Sequence, residues 1–122
     1  MSHKVDITNE STGARLLTAR WCASFACRLR GLTFRSSLPQ GEGLVLVESD
    51  GSRLASSIHM FAVFMPLGVL WLDAERVVVD RIVAMPWRVY WPIRAARYIV
   101  EGTPALLQSA AVGDQLSFYE ID

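Results

Sequence analysis

The sequence is short of cysteine, of histidine, of net charge and of long apolar runs. Only Cys22 and Cys27 are present, and only His59 lies outside the N-terminal region. One cysteine pair is too few for the disulfide frameworks of small secreted domains, and a chain of this length does not need one to hold a core. Structural zinc sites commonly place two residues between cysteines and use a second pair, which is missing here. Both cysteines are therefore expected to be free thiols, and no metal is expected. Twelve basic and twelve acidic side chains cancel. The cationic excess that a phosphate backbone demands is absent, so nucleic acid is not an expected partner. The same neutrality, with four tryptophans, favours self-association and makes a homo-oligomer an expectation.

The longest apolar run, Ile58 to Leu72, is shorter than the ~20 residues a membrane helix needs, and it contains His59, Pro66 and Gly68. Pro66 would break a helix. The run reads as two buried strands joined at Met65–Pro66, not as a membrane span. Met1 to Glu10 lacks the basic and apolar regions of a signal peptide, so a cytoplasmic location is the default expectation. Phosphate loops, dinucleotide fingerprints and the G-x-S-x-G elbow are missing, and Gly41–Glu42–Gly43 is too short to replace them. No cofactor is expected.

What is present is a globular composition, 52% apolar and 20% charged, in 122 residues, which predicts a single domain over residues 1–122. Lys4–Thr8 alternates apolar and polar, with Val5 and Ile7 on one face. Leu16–Trp21, Leu44–Val47, Ser57–Phe61, Leu67–Asp73, Arg76–Ala84, Arg97–Glu101 and Gln115–Tyr119 read as further strands. A hairpin is predicted around Ala74–Glu75, with Val69 and Trp71 sharing a face of its first strand and Val77, Val79 and Val83 sharing a face of its second. Ser24–Leu32 and Thr103–Ala111 read as two short helices, the second with Thr103 as N-cap and Pro104 in the first helical position. Many short strands with two short helices predict a mainly β, closed or nearly closed, barrel-like domain, because closure removes strand edges.

Several of these segments, taken in order, resemble the family called domain of unknown function 192. Arg30–Gly31–Leu32 with Arg35 resembles its "RGLM-x-R" segment, and Leu38 with Gly41–Glu42–Gly43–Leu44 resembles "L-x-x-GEGL". Ile58–His59–Met60–Phe61, Pro66–Leu67 and Leu72–Asp73 resemble "IHTFFMRFPIDVVFLD". Pro86–Trp87–Arg88, Arg94 and Ala96–Arg97 resemble "KPWR" and "VRGAR", and Gly113–Asp114 the closing "PGD" turn. The likeness runs from about Arg15 to Phe118. It implies a compact β-rich domain, bacterial or archaeal and often exported, with no assigned activity. Three departures stand out: Gly68 where the family pattern has Asp, Val63 where the subgroup has Met, and a hairpin after Asp73 that is one residue shorter.

The candidate binding residues are His59, Trp87, Arg88, Trp91, Arg94 and Arg97. Arginine grips carboxylate or phosphate with two parallel hydrogen bonds and stacks on aromatic faces. Met85–Arg94 sets two Pro, two Trp and a Tyr among two Arg, so it can form an anion-binding or aromatic surface, or else pack Arg on Trp to hold an irregular loop. His59 can be a base or ligand, or a satisfied strand histidine. Asp73 and Asp114 are expected to serve turns. Ser57 and His59 share a strand side, but no nucleophile motif surrounds them. The residues therefore predict a non-enzymatic binding or accessory domain with no catalytic residues. It would dock a protein segment or a small anionic ligand between the Met85–Arg97 loop and the His59 strand. The alternatives are a small hydrolase-like or metal-assisted enzyme centred on His59, and a structural assembly partner.

Overall fold

A computed structural model of the chain describes residues 3–24, 27–28, 31–33, 35–48 and 56–121. Among the described residues nine strands form: β1 (Lys4–Asn9), β2 (Arg15–Cys22), β3 (Glu42–Val47), β4 (Ile58–His59), β5 (Leu67–Leu72), β6 (Val78–Ala84), β7 (Val89–Tyr90), β8 (Tyr98–Gly102) and β9 (Leu116–Ile121). Seven make one sheet in the order β6-β5-β8-β3-β2-β1-β9, and β4 and β7 make a small second sheet. The fold is mainly β, as the alternating and β-branched runs predict. Closure into a barrel is not observed. The edge strands β6 and β9 approach at one end only, through an isolated bridge between Val77 and Gln115. The edges are thus protected locally without a continuous ladder.

The two short helices also need correction. Thr103–Ala111 contains a 3-10 helix, Pro104–Gln108. Pro104 does occupy the start, but the Thr103 side chain makes no capping bond and instead meets Gln40 at 3.1 Å. Without a capped first turn, and with Val112–Gly113 turning immediately afterwards, the segment stays a single tight turn. Of Ser24–Leu32, Phe25, Ala26, Leu29 and Arg30 lie outside the described residues. The described part shows one α-helical turn at Cys27–Arg28, with Arg28 N donating to Ser24 O (3.0 Å) and Gly31 N to Cys27 O (2.8 Å).

The sheet buries apolar side chains on both faces. β5 is buried at every position, so its run LGVLWL is apolar throughout instead of alternating. One face carries Leu44, Leu46, Leu67, Val69, Trp71 and Ile99, covered by Leu32, Ile58, Met60 and Val63. The other carries Val5, Ile7, Leu17, Val45, Leu70, Leu72 and Val100 with Leu106 of the 3-10 helix. Val69 and Trp71 share a face as predicted. Val77, Val79 and Val83 do not behave as one set: the β5–β6 register slips between Trp71 and Leu72, Val79 is the extra residue, and Val83 is left exposed at the edge.

Gly68, the departure from the family pattern, has a local cause. A Cβ there would lie 2.6 Å from Thr103 O and 3.3 Å from Pro104 Cα. The 3-10 helix packs on the strand backbone at this point, and only glycine leaves it room.

The free-thiol expectation is overturned, because Cys22 and Cys27 form a disulfide with their Cα atoms 5.5 Å apart. Cys22 ends a strand and Cys27 lies in the helical turn that folds back over it, which brings two residues five apart within bridging distance. The bond anchors the start of the segment that covers the first face of the sheet.

Candidate functional site

The six sequence candidates divide between two places. His59 lines a cavity of about 50 Å³ beneath the covering segments, together with Arg28, Glu48, Ser57 and Glu101. None of Trp87, Arg88, Trp91, Arg94 and Arg97 lines it. Those five are exposed. Backbone pairing nevertheless sets part of the loop beside the histidine strand. Val89 pairs with His59, Met60 N donates to Arg88 O (2.6 Å), and Trp87 N donates to Met60 O (2.7 Å). Arg97 sits at the foot of β8, where its N–H donates to Leu72 O and its carbonyl accepts from Glu48 N.

A buried polar staple fixes this arrangement. The Ser56 hydroxyl donates to Ala96 O (2.7 Å) and accepts from Ala96 N–H (3.1 Å), while Trp71 Nε1 donates to Ser56 O (2.8 Å). Ser56 therefore ties the entry to β4 to the end of the Trp91–Arg97 loop and to the core, and it is spoken for as a structural group. Asp80 accepts from Ile93 N (2.9 Å), and the Tyr90 hydroxyl accepts from Met85 N (2.9 Å), so the loop is held at three points. Asp73 and Asp114 serve turns as expected. Asp73 accepts from Glu75 N and Val77 N. The backbone N–H of Ala111, then the Asn9 side chain, hold the Asp114 carboxyl below its ordinary range.

The loop presents an exposed apolar face. Phe61, Phe64, Val83, Met85, Trp87, Val89, Trp91 and Ile93 account for eight of the eleven exposed large apolar side chains among the described residues, so the exposure is concentrated and not scattered. Phe64 meets Trp87 edge-on with ring centroids 5.9 Å apart, which joins the two loops. Two of the three positive-φ residues other than glycine among the described residues, Ala62 (56°) and Trp87 (68°), lie here. Such backbone costs on the order of 1 kcal/mol or more and gathers at functional surfaces. Among the described residues, Arg88, Arg94 and Arg97 make no ion pair, side-chain hydrogen bond or aromatic stack; the only guanidinium over rings is that of Arg76, on Tyr98 and Phe118.

The cavity contains a residue that the sequence reading passed over. Glu101 lies in the middle of β8 between Leu44 and Val69, and its alternation with Val100 aims its side chain at the first face of the sheet. It is 5% exposed. Burial pushes its carboxyl up from 4.5 to about 7. Across the cavity Arg28 donates to Val47 O (2.8 Å) and lies 3.8 Å from the Glu48 carboxylate. The signal available in the sequence was a lone acid in the run Tyr98–Gly102, where apolar residues were otherwise expected on both faces. A wider groove of about 440 Å³ runs outside, but its charged side chains, Lys4, Arg20, Arg35 and Glu42, are all exposed.

The model of the family domain of unknown function 192, described as uncharacterised ACR, matches residues 6–118. The chain belongs to this family. Its similar curated proteins include the UPF0127 protein of Thermococcus gammatolerans, 39% identical over 97 residues, covering 78% of this chain and 62% of the relative. The UPF0127 protein of Thermococcus kodakarensis is also 39% identical over 97 residues, covering 78% of this chain and 60% of the relative. The chain thus spans about three-fifths of the length of these two relatives. They are archaeal, so a bacterial label is too narrow for the family. Among solved structures, a candidate transcription regulator from Sinorhizobium meliloti 1021 superposes with a TM-score of 0.82 at 17% identity, covering 97% of this chain and 94% of that one. A protein of unknown function from Novosphingobium aromaticivorans gives 0.78 at 19%, covering 93% and 83%. Likeness at that identity establishes the fold alone.

Within this domain of unknown function 192 fold, Glu101 gives a testable electrostatic effect. A carboxyl raised by burial contributes stability that is complete below the unfolded value near 4.5 and is lost as pH rises through about 7. Folding stability is expected to fall by about 2–3 kcal/mol between about pH 5 and about pH 8 from this group. Urea unfolding at both pH values should show the slope in the native chain and a much flatter one in Glu101→Gln. Equal slopes would mean that Glu101 is not the group responsible.

Proposed function

We propose that this chain is a non-enzymatic docking module that binds a protein segment of mixed acidic and apolar character on the face formed by the 61–64 and 85–97 loops. One observation carries the reading. Arg88, Arg94 and Arg97 are exposed without acid partners among the described residues, and they lie in the same stretch of chain as exposed Trp87 and Trp91, with exposed Phe64 edge-on to Trp87. Tryptophan and arginine dominate the binding energy of protein interfaces, and free guanidinium groups complement carboxylates. The anchored loop supports the reading too, because a surface held by the Ser56, Asp80 and Tyr90 bonds loses little freedom on binding.

The test is fluorescence anisotropy with a panel of labelled peptides in which Asp and Glu alternate with Leu and Phe. The native chain should bind members of the panel, more weakly as salt rises. Arg88→Ala with Arg94→Ala should weaken binding about tenfold or more, the scale expected for interface arginines. Unchanged affinity in a folded double variant would reject the face as the site. Binding that is insensitive to Trp87→Ala but lost with the arginines would favour a small anionic ligand over a protein segment.

The enzyme reading centred on His59 gains one supporting observation, the buried acid Glu101 in the same cavity. Its metal-assisted form finds no cluster of three or more His, Cys, Asp or Glu able to hold an ion among the described residues.

A further inference from the structure

The cavity beside His59 adjoins the exposed aromatic face, because the His59 ring stacks on Phe61 with centroids 5.5 Å apart, but none of Trp87, Arg88, Trp91, Arg94 and Arg97 lines it. Among the described residues, four charged or titratable side chains line it: Arg28 from the covering segment, Glu48 beyond the end of β3, His59 from β4 and Glu101 from β8. Arg28 is engaged with the Val47 carbonyl and with Glu48. Glu101 has no such engagement. It is more than nine-tenths buried, its side chain makes no hydrogen bond or ion pair, and its cross-strand neighbours Leu44 and Val69 are apolar. Charged side chains are almost never buried without a partner, so a partnerless carboxyl on a cavity wall marks a place where a partner can arrive.

The charge balance selects the kind of partner. Ionisation of Glu101 places a negative charge on the cavity wall that no cation pairs with among the described residues. A monocation that donates hydrogen bonds would cancel it, and an anion would be repelled. Size selects further. About 50 Å³ is several times the roughly 10–15 Å³ that one water needs, which leaves room for a headgroup with one or two carbons. Ser57 and Thr33 supply hydroxyls on the lining, and Leu46, Met60 and Val63 supply apolar wall for a short alkyl chain.

We propose that this cavity is a binding site for a small primary ammonium group, which pairs its N–H donors with the Glu101 carboxylate and lays its alkyl stem against the apolar wall. The free amine of a small molecule and the end of a lysine side chain share this chemistry. Because the empty cavity favours the protonated acid, binding of the cation expels the Glu101 proton. Affinity therefore rises with pH up to about 7 and levels off above it.

The experiment follows the Glu101 side-chain carboxyl carbon by NMR in the full chain, with ethylammonium, tetramethylammonium, sodium or a lysine-containing tripeptide added at equal ionic strength. Ethylammonium should lower the pH midpoint of the Glu101 signal and shift the Ser57 and Met60 resonances, whereas sodium should not. Tetramethylammonium, which is larger and has no N–H, should have no effect. A response to the tripeptide equal to that of ethylammonium assigns the lysine source, and a response to ethylammonium alone assigns the free amine; either supports the site. In Glu101→Gln, nearly the same shape without the charge, ethylammonium affinity should fall at least tenfold while the amide spectrum stays dispersed. Ethylammonium acting no differently from sodium, or tetramethylammonium acting equally well, would overturn the proposal. Because the native chain's own titration is read, a variant that fails to fold leaves the test intact. The peptide-panel binding at Arg88 and Arg94 is a separate readout, so either proposal can fail alone.

Discussion

Trp71→Ala is expected to cost about 3–5 kcal/mol of folding stability, a large share of the roughly 5–15 kcal/mol that holds a typical domain together. Trp71 is fully buried in β5, among Val69, Ile99 and Ala96. Its truncation would open a cavity at the middle of a close-packed face, where the surrounding strands have little freedom to collapse. The indole also donates to Ser56 O, so the loss reaches the staple that holds β4 to the 91–97 loop. Trp71→Phe separates the two effects. It keeps most of the volume and should cost on the order of 1–2 kcal/mol, the scale of a buried hydrogen bond with imperfect repacking. Urea unfolding of the three proteins measures this directly. If Trp71→Ala unfolded within 1 kcal/mol of the native chain, the packing described for β5 would be wrong.

Gly43→Ala should be of comparable severity for the opposite reason. A Cβ at Gly43 would lie 2.1 Å from Glu101 O and 3.1 Å from Leu17 Cδ2. The first contact is with the backbone of β8, the strand on which β3 and β5 both pair, so the sheet itself would have to part. Overpacking against side chains costs about 1–3 kcal/mol; against strand backbone, about 3 kcal/mol or more is expected. The second glycine of the Gly41–Glu42–Gly43 segment is therefore a packing requirement, with no ligand needed to explain it. Circular dichroism on heating would show either a large drop in Tm or no folded state. A variant as stable as the native chain would mean that β3 and β8 are not paired in the register described.

The strands were legible because their signals are local. Val5 and Ile7 alternate, Leu44–Val47 is short and continuously apolar, and Asp73 and Asp114 sit where turns need them. What the sequence concealed depends on neighbours brought together by the fold. The β6 bulge at Val79 comes from the partner strand's register. The Cys22–Cys27 bond needs a strand end and a helical turn to meet. The role of Gly68 depends on a 3-10 helix more than thirty residues later. Glu101 was hidden for the same reason, since only the pairing of β8 between β3 and β5 shows that this acid faces inward. For the candidate surface, the unusual composition of Met85–Arg94 was visible at once. Its relation to His59 was not, because the Ile58–Tyr90 and Val89–His59 pairings put the loop and the histidine side by side, yet of the six candidates His59 alone lines the cavity.

If the 61–64 and 85–97 loops form the surface on which a partner docks, a residue-by-residue NMR titration with the tightest acidic and apolar peptide of the panel will locate it there. Shifts are expected at the indole N–H groups of Trp87 and Trp91 and at the amides of 61–64 and 85–97, with β1 and β9 unmoved. Shifts gathered on the β1–β9 edge, with both indoles unchanged at saturation, would contradict it.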